Sequence, residues 1–239
     1  MSTQPPAEKA QTRTGFTAVL GWTLFALMVG ALVGIAGGVL VSPLRQTLAT
    51  LFGAQTGRMT WYITRAAGII TYLLLWFSTI WGLGVASKIF DRFLNRSFTF
   101  DFHEFISLLS LGFLGLHIVV LTADTYLPYN LAQLLVPFLS PYRPLWVGIG
   151  VLALYLSALV TVTYYLRQRI GMKTFRSIHV ASLVAYLAAL FHGIFSGTDS
   201  SMPAMLLVYA GTFLVFVFLS VYWWMMRRQA RNAVAPVKT

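Results

Sequence analysis

Apolar stretches long enough to cross a bilayer recur along this chain, and no other feature constrains its fold as strongly. A hydrocarbon core about 30 Å thick needs roughly 20 apolar residues of helix. The runs are Phe16–Val41, Trp61–Ser87, Phe102–Ala123, Leu145–Leu166, Ser177–Ser196 and Pro203–Met226. The first, closed by Ser42-Pro43, is longer than a signal-peptide core and shows no persuasive small-residue cleavage site, so it counts as a span. Backbone groups in lipid must be satisfied within each segment. The expected fold is therefore all-α, a polytopic bundle of six transmembrane helices over 16–226. A polar, disordered tail is expected at 1–15 and a basic tail at 227–239. Trp61, Tyr62, Trp146, Tyr164, Tyr165, Trp223 and Trp224 fall at run ends, as interfacial belts do.

Composition agrees: 58% hydrophobic and 10% charged residues, where a soluble domain carries roughly 25% charged. The net charge of +11 is not a nucleic-acid signal, because the basic residues sit in short connections and tails rather than along a soluble face. They set orientation instead. The N-terminal tail, the second–third and fourth–fifth connections and the C-terminal tail together hold 13 Lys and Arg. The opposite side holds 4: Arg45, Arg58, Arg65 and Arg143. The positive-inside rule then puts both termini in the cytoplasm, and the expected location is a bacterial inner or plasma membrane. The chain has no cysteine, which excludes disulfides, thiol chemistry and iron–sulfur clusters. It has no GxGxxG after a strand and no P-loop. Electrons from a flavin or nicotinamide would need a separate flavoprotein reductase, and a quinone from the bilayer is the other donor.

All four histidines lie in two of the apolar runs, His103 and His117 in the third, His179 and His192 in the fifth. Ionisable residues are costly in hydrocarbon and usually functional there. Fourteen helical residues between His103 and His117 rise about 21 Å and return to within roughly 40° of one face. Thirteen between His179 and His192 rise about 19.5 Å but fall roughly 140° apart on an ideal helix. Helix tilt, imidazole rotamers or a π-bulge would have to absorb that offset. Depth pairs His103 with His179 and His117 with His192. Neutral imidazole is a natural axial ligand for haem iron, so the pairs are expected to hold two non-covalent b-type haems. A histidine proton relay is the competing function, but it would place carboxylates among the histidines at mid-membrane. Glu104 and Asp124 lie at the ends of the third run instead. A haemless transporter or scaffold is the third class.

These residues resemble the ferric-reductase-like transmembrane family, which includes ferric reductases, NADPH oxidases and the bacterial haem subunits that serve methionine sulfoxide reductases. The stretches that carry the likeness are TRAAGIITYLLL (64–75), HEFISLLSLGFLGLH (103–117), SPYRPLWVGIGVLALYL (140–156) and FRSIHVASLVAYLAALFHGIFSGTDS (175–200). The resemblance implies a six-helix bundle with two stacked haems, His103, His117, His179 and His192 being the ligands. It also implies that Arg65, in TRAAG, stands near the outer haem, where a propionate would partner its charge. Snorkelling to the interface is the plainer role for Arg65. Arg143 has two open roles, a propionate partner or an anchor for its own loop. Asp124 and Asp199 lie on the outer side, where a ferric substrate would approach, although loop carboxylates are usually just solvated. Long family members continue into a flavin- and nicotinamide-binding region, whereas this chain ends thirteen residues after its sixth run. It therefore resembles the stand-alone membrane subunits.

The expected activity is electron transfer from a cytoplasmic-side donor, through the inner and then the outer haem, to an acceptor at the outer face. That acceptor is a ferric chelate, a quinone, oxygen or a redox partner protein. The chain is then a ferric-reductase-like oxidoreductase, or the electron-transfer subunit of a separate reductase. Phe113, Tyr186 and Phe191 are expected to pack against the haem faces.

Overall fold

A computed structural model of the chain describes residues 56–122 and 129–234. The first apolar run, the N-terminal tail, Arg45, Asp124 and the last residues of the basic tail lie outside the described residues. The described elements are α1 (Thr56–Ala86), α2 (Arg96–Thr122), the short α3 (Leu131–Leu135) and α4 (Pro144–Ile170). They continue with α5 (Met172–His179), α6 (Ala181–Ser196) and α7 (Pro203–Val234). One 3-10 turn, Phe90–Arg92, joins α1 to α2. No strand occurs among the described residues. Among the described residues, five helical stretches are long and apolar enough to cross a membrane: Met59–Ala86, Arg96–Thr122, Pro144–Ile170, Met172–Ser196 and Pro203–Ala230.

The helices outrun the apolar runs because capping, not hydropathy, sets their ends. The Asn95 side chain accepts the Ser97 N–H at 2.9 Å, an N-cap that starts α2 six residues before Phe102, through residues too polar to register as apolar. Arg96 is therefore helical rather than in a loop. α1 ends in a Schellman turn: Ile89 N–H reaches the Gly84 carbonyl (3.0 Å) and Lys88 N–H the Val85 carbonyl (3.1 Å). Lys88 takes the left-handed position that glycine usually fills, with φ 58°. α4 runs through Arg167 and Arg169 to Gly171, whose φ of 84° lets the chain turn straight into α5. α7 continues past Met226 through Arg227, Arg228, Gln229 and Ala230, all residues at home in helices. Arg227 and Arg228 lie over the rings of Trp223 and Trp224.

α4 packs closely against α5 and α6, and α2 touches α4 more lightly. Tyr72 and Leu83 of α1, Tyr186 and Leu190 of α6, and Tyr209 and Phe216 of α7 form a buried cluster. Its polar atoms are satisfied between helices, as hydrocarbon surroundings require. The Tyr72 hydroxyl lies 2.5 Å from the Thr212 hydroxyl, and Trp76 Nε1 donates to the Thr212 carbonyl at 3.0 Å. Tyr186 is 0% exposed and stacks on Tyr72 with ring centres 6.0 Å apart. Tyr186 thus packs into the core between α1 and α7, and Phe191 is exposed and stacks on Phe195.

The stretch expected as one fifth helix is two. A turn at Val180 separates α5 from α6, with Leu183 N–H bonded to the Val180 carbonyl, three residues back, at 3.1 Å. Tightening a helix from i→i+4 to i→i+3 bonding changes the angular phase of every later turn. The break falls immediately after His179, between the two histidines whose ideal-helix phases disagree.

Candidate functional site

His103 on α2 and His179 at the end of α5 face each other, with ring centres 6.0 Å apart and planes crossed at 77°. Both line a cavity of about 140 Å³ with Ser78, Gly82, Ser107 and Thr161. At the other end of the same helices, His117 of α2 lies within electrostatic range of His192 of α6. Of the two pairs expected by depth, His103 and His179 are brought ring to ring.

The imidazoles are held by backbone and hydroxyl groups of neighbouring helices. His117 Nδ1 donates to the Thr64 carbonyl of α1 at 2.9 Å. His192 Nδ1 donates to the Trp146 carbonyl of α4, also at 2.9 Å. A carbonyl only accepts, so each Nδ1 carries the hydrogen and each Nε2 keeps its lone pair for a metal. Such an outer hydrogen bond fixes ring orientation and raises ligand basicity. His103 Nδ1 lies 3.4 Å from the Ser78 hydroxyl, which is itself 2.6 Å from Ser107. His179 Nδ1 is buried without a hydrogen-bond partner among the described residues, its ring against Phe175.

The donor set suits haem better than a bare ion. No group of three or more His, Cys, Asp or Glu able to hold a metal occurs among the described residues, so a free cation would find only two ligands. A haem brings its own equatorial nitrogens and needs axial ligands. A nitrogen about 2.0–2.1 Å from a first-row metal, with a ring radius of roughly 1.1 Å, puts two opposed imidazole centres about 6 Å apart. The His103–His179 spacing matches that.

Both arginines assigned to propionates hold protein groups. Arg65 Nε donates to Asp199 Oδ2 at 2.7 Å and its Nη2 pairs with Oδ1. Its guanidinium lies 3.9 Å over the Trp61 ring. Arg143, a left-handed N-cap before Pro144, donates through Nη1 to the Phe195 carbonyl. The Tyr142 hydroxyl donates to the Ser196 carbonyl at 3.4 Å. Arg143 and Tyr142 therefore anchor their loop on the last turn of α6, near His192. Asp199 is taken up by Arg65. Glu104, beside His103, accepts the hydroxyls of Tyr164 (2.9 Å) and Tyr165 (2.8 Å).

Sequence reading missed the glycines. A methyl at Gly68 would lie 3.1 Å from His117 Nδ1, at Gly82 3.1 Å from His103 Cε1, and at Gly150 2.6 Å from His192 Nδ1. One signal was present: Gly68 and Gly82 are fourteen residues apart, as are His103 and His117. Comparison of the chain with protein-family models, curated proteins and solved structures found no match. The likeness to the ferric-reductase-like family therefore rests on the motifs quoted above.

Proposed function

We propose that this chain is a transmembrane b-type cytochrome that passes electrons from a cytoplasmic-side donor to an acceptor at the outer face. One observation carries the reading: two imidazoles 6.0 Å apart at 77°, with a second histidine pair at the far end of the same two helical stretches. When bound, haem would supply reversible one-electron chemistry. His103 and His179 would hold it at the cytoplasmic side, and His117 and His192 at the outer side. The protein's part is to orient three of the four imidazoles, through the carbonyls of Thr64 and Trp146 and the hydroxyl of Ser78, and to exclude water with an apolar surround. Each haem would be held by two histidines, which would disfavour substrate binding at its iron. Outward flow from an inside-negative compartment is favoured by about 2.3 kcal/mol per charge per 100 mV crossed. A proton relay is less well supported, because Glu104 is engaged by two tyrosines and Asp199 by Arg65.

The test is a reduced-minus-oxidised spectrum and a haem count on purified protein expressed with ample porphyrin supply. Two haems per chain are expected, with His103→Ala and His117→Ala each removing one. A colourless protein would refute the reading, and a single haem per chain would refute the relay. Reduction of ferric citrate by the purified chain with an artificial donor identifies an enzyme. Failure without a second protein identifies an electron-transfer subunit, whose donor is a flavoprotein reductase or a quinone.

A further inference from the structure

The four imidazoles are not held alike. On a helix, the side chain at a given position covers the turn N-terminal to it, so a residue at i+4 shields the carbonyl of residue i from a neighbouring helix. Thr64 and Gly68 stand in that relation, as do Trp146 and Gly150, and Ser78 and Gly82. In the first two cases the missing side chain lets a histidine from the next helix reach the carbonyl at 2.9 Å. In the third, His103 lies against Gly82 with Nδ1 beside Ser78. The distances leave no room for a methyl: 2.6 Å at Gly150 requires His192 to move, and 3.1 Å at Gly68 and Gly82 requires at least a small shift. Gly112, Gly115 and Gly211, by contrast, have nothing within 4 Å of an added methyl.

His179 has no such seat. The part of α4 that lines its cavity presents Val160, Thr161 and Tyr164 rather than glycine. The Thr161 hydroxyl itself occupies the Ser157 carbonyl four residues back, at 2.9 Å. Among the described residues, the buried Nδ1 of His179 is left without an acceptor. The helix also breaks at the very next residue, Val180.

We propose that Gly68, Gly82 and Gly150 are positioning residues that seat three of the four imidazoles, and that His179 is the imidazole an added small ligand displaces first. The inference rests on the haem reading above and deepens it. The His103–His179 site becomes the one with exchangeable ligation, and the His117–His192 site the one with both rings tied to backbone.

Two measurements test it, neither using activity. First, cyanide is titrated into ferric holoprotein and followed by absorption and electron paramagnetic resonance. His117→Ala, which keeps the His103–His179 site, should convert at a concentration about tenfold or more below that needed by His103→Ala, which keeps the other site. Equal or reversed sensitivity overturns the asymmetry. Second, Gly150→Ala should weaken haem retention at the His117–His192 site about 10- to 100-fold, the usual effect of losing an outer-shell partner. It should leave the His103–His179 signal intact, and Gly112→Ala should change neither. Circular dichroism and size-exclusion profiles matching wild type show that the variant folds; if it does not, the cyanide comparison, which needs no glycine variant, decides. Should wild-type protein hold no haem at all, the cytochrome reading falls and this inference with it. Two haems with unchanged Gly150→Ala spectra and equal cyanide sensitivity would overturn this inference alone.

Discussion

The Arg65–Asp199 pair is the most consequential contact outside the histidines, and its loss has a calculable effect. It joins α1 to the segment before α7 across 134 residues of sequence, through two nitrogen–oxygen contacts in the fork geometry that makes arginine–carboxylate pairs strong. The side chains are 22% and 14% exposed, so the pair is neither a solvated surface bridge nor a fully buried one. Opposite unit charges about 4 Å apart attract by about 4 kcal/mol at an effective dielectric of 20, and desolvation cancels part of that. A net coupling of about 1–3 kcal/mol is expected. Asp199→Asn strands the Arg65 cation, while Arg65→Gln also removes its stacking on Trp61. Each single variant should therefore unfold about 2–12 °C below wild type, at roughly 2–4 °C per kcal/mol for a chain of this size. The double variant should lose less than the sum, because neither charge is then left alone. The assay is thermal unfolding in detergent across the four-protein cycle, with haem content held constant. A coupling under about 0.5 kcal/mol would refute the argument and leave both side chains as independent interfacial charges.

Tyr186→Ala should cost about 3–5 kcal/mol, because the ring is fully buried, and chemical denaturation would register that as a large fall in midpoint. Tyr72→Phe should cost under about 1 kcal/mol, since Thr212 keeps its hydrogen bond to the Val208 carbonyl at 2.7 Å; a large loss would refute this account of the core. Gly171→Ala meets no steric obstacle but forces a side chain into φ 84°, so a loss of about 1–2 kcal/mol in thermal unfolding is expected. Glu104→Gln replaces an acceptor of two phenols by a group with one acceptor oxygen, leaving one tyrosine hydroxyl facing an NH₂. A loss of about 1–3 kcal/mol is expected, and Tyr165→Phe in the same background should recover part of it.

What local sequence determined is what depends on local physics. Run length against bilayer thickness is a count along the chain, so the five described spans were readable, and so was the presence of four histidines on two of them. Depth follows from a fixed rise per residue, so the approach of His103 to His179 was readable too. Helix ends were misjudged wherever capping outvoted hydropathy, as at Asn95 and Gly171. Rotational phase was beyond reach, because the turn at Val180 lies between two helices that both pack on α4, a contact no local pattern records. The glycine seats were half visible: the fourteen-residue match of Gly68 and Gly82 to the histidines was there, but the chain has 19 glycines and most of the described ones have no imidazole beside them. Only packing shows which ones meet a ring. The same holds for Arg65 and Arg143, whose partners lie 134 and 52 residues away. No periodicity within a helix encodes a contact with another helix, so those choices belonged to the tertiary structure.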